Sequence, residues 1–476
     1  MLFGPSDPRW IYSAMRIMYG LWLLFLVAAQ CAAAPSELRV GQAAVDITPP
    51  PGTPMQAPQR PPFEVKLAAG AHDPLHVKAV VLATGDQKAA LVVCDLTSIP
   101  VALIEAARKR ITASTDLDPL SVMISATHTH TAPQIRPRFV TRADETARGK
   151  TAAYVDALPG RIAEAVRLAN ERLQPAKAAV AIGREESVSF NRRYLMQDGT
   201  VQTSPGKADP AIARRIVRPA GPIDPDVGVV AFDKLNGAQL ATLINFAIHL
   251  DTIGGTQPSA DFPFQINAIL ANVRGSEMLT IFAAGAAGNI NHYDLLDPDR
   301  IHREKNVQES SRIGTILAAE VLRSYRRLEP VNAGILRVAR EVIRLEMPDE
   351  KGRALAARYA GAAQFFDGEV TVFNEGGKQQ FDAEVQVIAL GNELAWVGFP
   401  GEMFVEHGLS LKQGSPFRYT MIHTLANGSI GYVPDRKAYG QGAYEDTATR
   451  CAPGVGEKLV DVATRLLVSL KPPRLP

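Results

Sequence analysis

The sequence predicts an α/β fold of mixed β-sheets flanked by helices, and three observations carry that expectation. Apolar runs of strand length recur at residues 40–48, 77–83, 89–95, 122–125, 178–182, 227–232, 240–249, 278–283, 385–390 and 394–399, short enough to read as buried strands. Helix-period segments lie between several of them, at 101–112, 151–172 and 313–327, with the Ala-rich stretch 351–366 as a fourth. Some strands follow one another with no helix between, so the sheets are mixed rather than all parallel. The first strand stops at Pro49-Pro50-Pro51-Gly52, where proline withholds the ladder donor.

Length alone suggests about three domains for 476 residues. The most linker-like stretch, Pro/Gly/charge-rich 196–226, has site candidates on both sides, so it reads as a surface loop or lid within one domain. Hydrophobic residues make up 46% of the chain, enough for a sizeable core, and 51 Lys+Arg nearly balance 49 Asp+Glu. That balance excludes a basic nucleic-acid-binding tail and an acidic disordered segment. Three cysteines are too few for a disulfide scaffold.

Residues 1–33 read as a signal peptide: Arg16, an apolar run over 17–29, then Cys31-Ala32-Ala33-Ala34. Lipid anchoring at Cys31 is the other reading of this segment, against which Gln30 stands where a small residue is usual. The expectation is a secreted or periplasmic protein whose mature chain, 34–476, has no membrane span. Of its two cysteines, Cys94 sits in Leu91-Val92-Val93 and reads as a buried free thiol.

Three stretches supply metal-ligand chemistry. Thr127-His128-Thr129-His130 follows the strand 121–125, and in extended chain residues two apart face one way. His249 closes the strand 243–248, where a hydrogen-bonded core histidine is the bland reading. Glu402 ends the run 394–401, where a helix-starting acid would also fit. The coincidence of His, His and Glu at carboxyl ends of strands matches a hydrolytic zinc set with an open position. No His-Glu-x-x-His, Gly-x-Ser-x-Gly, phosphate-loop or dinucleotide fingerprint occurs. Two further stretches are built like site loops. Gly285-Ala286-Ala287-Gly288-Asn289-Ile290-Asn291 allows close backbone approach or a tight turn. Tyr432, Tyr439 and Tyr444 lie in a polar loop, where tyrosines either serve a site or pack.

The ordered set Val40-Gly41-Gln42-Ala43-Ala44-Val45-Asp46-Ile47-Thr48-Pro49-Pro50, Thr127-His128-Thr129-His130, Asn245-Phe246-Ala247-Ile248-His249, Gly288-Asn289-Ile290-Asn291, Pro400-Gly401-Glu402 and Gly431-Tyr432 … Tyr444-Glu445 resembles the neutral/alkaline non-lysosomal ceramidases. The resemblance runs from residue 40 to 445. It implies a single zinc-hydrolase catalytic domain, with Zn2+ held by His128, His249, Glu402 and Tyr432. His130 and Tyr444 would act at the substrate carbonyl, and the substrate would be a small-molecule or lipid N-acyl amide, ceramide-like. Gly288, Asn289 and Asn291 fall on the substrate side.

The chain departs from the family at several places. Asn291 replaces a serine once considered a nucleophile. Leu250-Asp251-Thr252 follows His249 where the family has Gly-Thr-Ser. Arg136 and Arg138 follow the His-Thr-His segment, either greeting an anion or solvating a loop. The family's C-terminal immunoglobulin-like domain is not expected within this chain. The same architecture would also suit an enzyme for another acylated amine or ester, or a catalytically silent envelope binding protein.

Overall fold

The computed structural model describes residues 37–56, 65–206, 210–297, 305–349 and 370–471. The expected leader 1–33 and the expected helix 351–366 lie outside these residues.

Strand β1 (Leu38–Asp46) pairs antiparallel with β2 (His76–Thr84), which turns at Gly85 into β3 (Gln87–Cys94). The turn has two residues, and Gly85 takes φ 56, the positive value that a tight hairpin favours. Helix α1 (Val101–Ser114) crosses over to β4 (Val122–Ala126), parallel to β3. Helix α2 (Glu145–Glu171) is capped by the Asp144 carboxylate, which accepts from Ala147 N, and it leads into β5 (Gln174–Arg184).

The stretch expected as a loop or lid is largely ordered. After β6 (Phe190–Asn191), strands β7 (Arg193–Met196), β8 (Val201–Thr203) and β9 (Ile216–Pro219) make a small sheet in the order β8-β7-β9, with the short helix α3 (Pro210–Ala213) before β9. Next come β10 (Asp226–Lys234), β11 (Gln239–Phe246), α4 (Phe262–Arg274), β12 (Leu279–Ala284), β13 (Ile290–Asn291), α5 (Val307–Ser324) and β14 (Glu329–Pro330). Among the described residues the main sheet runs β12-β11-β10-β5-β1-β2-β3-β4, with β14 on β5.

A second sheet, β15-β17-β18-β20, is built from β15 (Leu336–Glu346), β17 (Lys378–Leu390), β18 (Leu394–Gly398) and β20 (Tyr419–His423), with β16 (Val372–Glu375) pairing β17. The remaining elements are β19 (Glu402–Met403), α6 (Val405–Gly414), β21 (Tyr432–Val433), α7 (Tyr444–Thr447) and α8 (Val455–Leu470).

Alternation along the strands sets the layers. Val77, Ala79 and Val81 of β2 pack with Ile104, Ile111, Ile162 and Val166 of α1 and α2, while Val80 and Leu82 face Ile388, Trp396 and Met421 of the second sheet. On β11, Ile244 and Phe246 meet α4 and α5, and Leu243 joins the inter-sheet core. Val385 and Val387 of β17 meet Leu459 and Leu467 of α8. The result is helices, sheet, sheet, helix, which realises the expected mixed α/β class.

One buried polar knot ties the layers together near the site. Arg108 of α1 forks onto Glu384 of β17 through two bonds of 2.8 Å. Asn427, at φ 58, donates to Glu384 and Gln386 and accepts from Ile124 N. This fixes the turn that leads to β21. Cys94 and Cys451 are both buried and free, as the Leu91-Val92-Val93 context of Cys94 implies. No described helix is long and apolar enough to cross a membrane.

Candidate active site

Beyond β4 the chain keeps pace with the segment after β3: Thr127 N donates to Cys94 O and His128 N to Leu96 O, each at 2.9 Å. His128 then takes φ 74, a left-handed conformation that costs a non-glycine residue about 1–2 kcal/mol. The extended-chain expectation for His128 and His130 is therefore corrected. A kink, rather than strand alternation, brings their Nε2 atoms to 3.4 Å.

The expected strand ending on His249 is also shorter. The parallel β11–β12 ladder ends at Phe246↔Ala284, and His249 lies in the loop beyond, where Leu250 O accepts from His130 N at 2.9 Å. Glu402 starts a strand instead of ending one: β19 runs parallel to β21, with Glu402 opposite Tyr432.

The imidazole tautomers follow from their partners. His128 Nδ1 lies 2.7 Å from Thr97 O, and His249 Nδ1 lies 2.9 Å from Ala287 O. A carbonyl oxygen only accepts, so each Nδ1 carries a proton. Burial keeps His249 neutral with a lone pair at Nε2, whereas at His128 burial is outweighed by the Glu402 carboxylate, which raises the pKa. The two Nε2 atoms are 3.2 Å apart. Glu402 Oε2 lies 3.2 Å from one and 3.4 Å from the other, and among the described residues it has no hydrogen-bond donor. Burial lowers the pKa of His130 to about 4 and that of His249 to about 3, keeping both neutral near pH 7. The donor atoms of His128, His130 and His249 fall within 4.8 Å of one another. Converging acceptors with an orphaned carboxylate oxygen fit a divalent cation.

Arg192, absent from the sequence expectations, stands beside this cluster. Its guanidinium donates from Nη1 to His249 Nε2 at 3.2 Å, from Nη2 to Gly288 O at 2.7 Å and from Nε to Glu445 Oε1 at 2.7 Å. It also lies 5.3 Å from the Tyr432 ring centroid. Two arginines in a row on a loop are a common surface pattern, and nothing in Asn191-Arg192-Arg193 marks one as buried.

Tyr432 is buried, and burial pushes its phenol well above the ordinary tyrosine range. Its ring meets that of Tyr444 edge-on at 5.5 Å, and Tyr444 is 42% exposed, at the rim. Gly288 is required: a Cβ there would lie 2.3 Å from Glu402 O. Asn289 Oδ1 accepts from Val405 N and its Nδ2 donates to Glu406, each at 2.8 Å. Asn291 Oδ1 accepts from His292 N. Asp251 Oδ1 pairs with Lys305 and lies 3.5 Å from His130 Nδ1. Arg136 is buried and donates to Ser98 Oγ.

No protein-family profile matches the chain, and no curated protein sequence matches it. Among solved structures it is similar to neutral ceramidase from Pseudomonas aeruginosa, with a TM-score of 0.71 and 18% identity over 92% of this chain and 76% of that one. It is equally similar to a ceramidase complexed with C2, at TM-score 0.71 and 18% identity over 91% of this chain and 75% of the other. The chain thus has the mixed α/β fold of neutral ceramidase.

Proposed function

We propose that the chain is a zinc-dependent amidohydrolase of the secreted or periplasmic space that cleaves an N-acyl amide, with ceramide-like lipids as the substrate class. The observation that supports this reading is the convergence of the His128 and His249 Nε2 atoms and the Glu402 carboxylate oxygen within 3.4 Å of one another. His128, His249, Glu402 and the neighbouring Tyr432 would hold the ion. When bound, zinc supplies a Lewis acid for a carbonyl oxygen and lowers the pKa of water towards about 7.

The chain's own groups supply the rest. Arg192 holds fixed positive charge beside the cluster, where an amide oxygen gains negative charge, and such a donor typically contributes about 3 kcal/mol. His130, neutral and with Nε2 turned to the cluster, accepts a proton at that atom and returns it to the departing amine. Tyr444 donates a hydrogen bond from the rim. Gly288, Asn289 and Asn291 form the wall beside Arg192, with Gly288 allowing the close approach to Glu402. The domain that does this spans 34–476, with 1–33 as its leader.

The test is to purify the mature protein and assay N-acyl sphingosines, acyl amino acids and acylated amino sugars with and without a chelator. Chelator-sensitive release of fatty acid from an N-acyl sphingosine is expected. Turnover of only the other substrates would keep the chemistry and replace the substrate class, whereas one equivalent of zinc with no turnover on any of them would indicate a binding protein.

A further inference from the structure

Glu445 follows the rim tyrosine Tyr444 in the chain, yet its side chain is fully buried. It accepts from Arg192 Nε at 2.7 Å, from Arg193 Nη1 at 3.2 Å and from Thr203 Oγ1 of β8 at 2.6 Å. Thr203 Oγ1 in turn accepts from Tyr444 N at 3.3 Å. One carboxylate thus joins two buried guanidiniums, the β8 strand and the tyrosine loop.

The charge balance is the informative part. Arg192 and Arg193 are both buried, and one of them reaches a lone pair that the metal reading assigns to a cation. A guanidinium and a divalent ion at one imidazole repel strongly where water does not screen them. Among the described residues Glu445 is the carboxylate hydrogen-bonded to Arg192, while Asp446 and Glu406 act on Arg193 from further off and Glu402 is committed to the ion itself.

We propose that Glu445 is the charge-balancing residue of the site: by neutralising and orienting Arg192, it allows a guanidinium and a divalent cation to stand at the same histidine. Glu445 is a positioning residue here, acting through Arg192, and the inference rests on the metal reading of His128, His249 and Glu402.

Zinc affinity tests this without reference to turnover. Metal-free wild type, E445Q, R192M and the double variant are titrated with Zn2+ against a fluorescent chelator, with circular dichroism to show folding. E445Q should bind Zn2+ at least about tenfold more weakly, R192M at least about threefold more tightly, and the double variant within about threefold of wild type. A folded E445Q with wild-type affinity overturns the proposal. Should E445Q not fold, R192M decides alone, because Glu445 keeps Arg193 and Thr203 as partners there, and unchanged or weaker binding overturns it. Wild type that takes up no Zn2+ removes the metal reading itself, and this proposal with it.

Discussion

The Nε2 atoms of His128 and His249 stand 3.2 Å apart, each imidazole held by a backbone carbonyl at its other nitrogen. The Glu402 oxygen lies 3.2 and 3.4 Å from them, so three atoms able to ligate a metal meet at one point. On the proposed metal reading, removing one imidazole removes the cation. The His128→Ala protein is expected to lose bound zinc and hydrolytic activity together, measured by metal analysis and fatty-acid release on the same sample.

Arg192 makes three directed hydrogen bonds from three different nitrogens, a geometry that a lysine ammonium cannot reproduce. Arg192→Lys should lower kcat by about 10²–10³-fold, the usual cost of losing a fixed oxyanion donor. Zinc content should stay at the wild-type level. A parallel loss of zinc would show that Arg192 supports the metal shell instead.

At Gly288 a methyl group would fall 2.3 Å from the Glu402 carbonyl oxygen, a backbone atom that cannot swing away. Gly288→Ala should cost about 1–3 kcal/mol of stability through overpacking and weaken zinc binding, because Glu402 moves with its backbone. Gly149 in α2 has open space at the same position. Gly149→Ala is expected to stabilise by roughly 0.5–1 kcal/mol on helix propensity alone, and paired urea melts measure both.

His423 is buried in β20, and burial alone lowers its pKa to about 4. Its folded-state value lies below the unfolded one, near 6.5, so the unfolded chain binds the extra proton at intermediate pH. The stabilisation is present above about pH 6.5 and is lost as pH falls through about 4, an effect of about 3 kcal/mol. Urea unfolding in a chelator at pH 7 and pH 4 should show that His423→Gln loses less stability than wild type by this amount.

The parts of the fold legible in the sequence are those with an uninterrupted apolar period. The runs that became β2, β3, β10 and β17 are buried on both faces, and their apolar stretches show it. Strand β15 is not legible, because Leu336-Arg337-Val338-Ala339-Arg340-Glu341-Val342-Ile343-Arg344-Leu345-Glu346 mixes charge throughout. Its identity comes from an eleven-residue register with β17, a long-range pairing that local pattern does not encode. Helix α4 was hidden by Phe262-Pro263-Phe264, whose proline sits harmlessly in the first turn.

In the candidate site, His128, His130, His249 and Glu402, which the structure brings together, stand out in the sequence because each residue type carries chemistry of its own, whereas Tyr432 and Tyr444 stand out only through the ordered set of motifs. Arg192 and Glu445 are 253 positions apart, and each is ordinary in its local context. Their meaning arises only when the fold buries them together. The same holds for the carbonyls of Thr97 and Ala287, which set the tautomers and have no sequence signature.

The most direct test of the account is the hydrolysis of an N-acyl sphingosine by the purified mature protein, followed through removal and return of zinc. The account predicts activity at one equivalent of zinc, its loss with a chelator and its recovery on adding Zn2+. Undiminished hydrolysis by protein shown to be metal-free would contradict it.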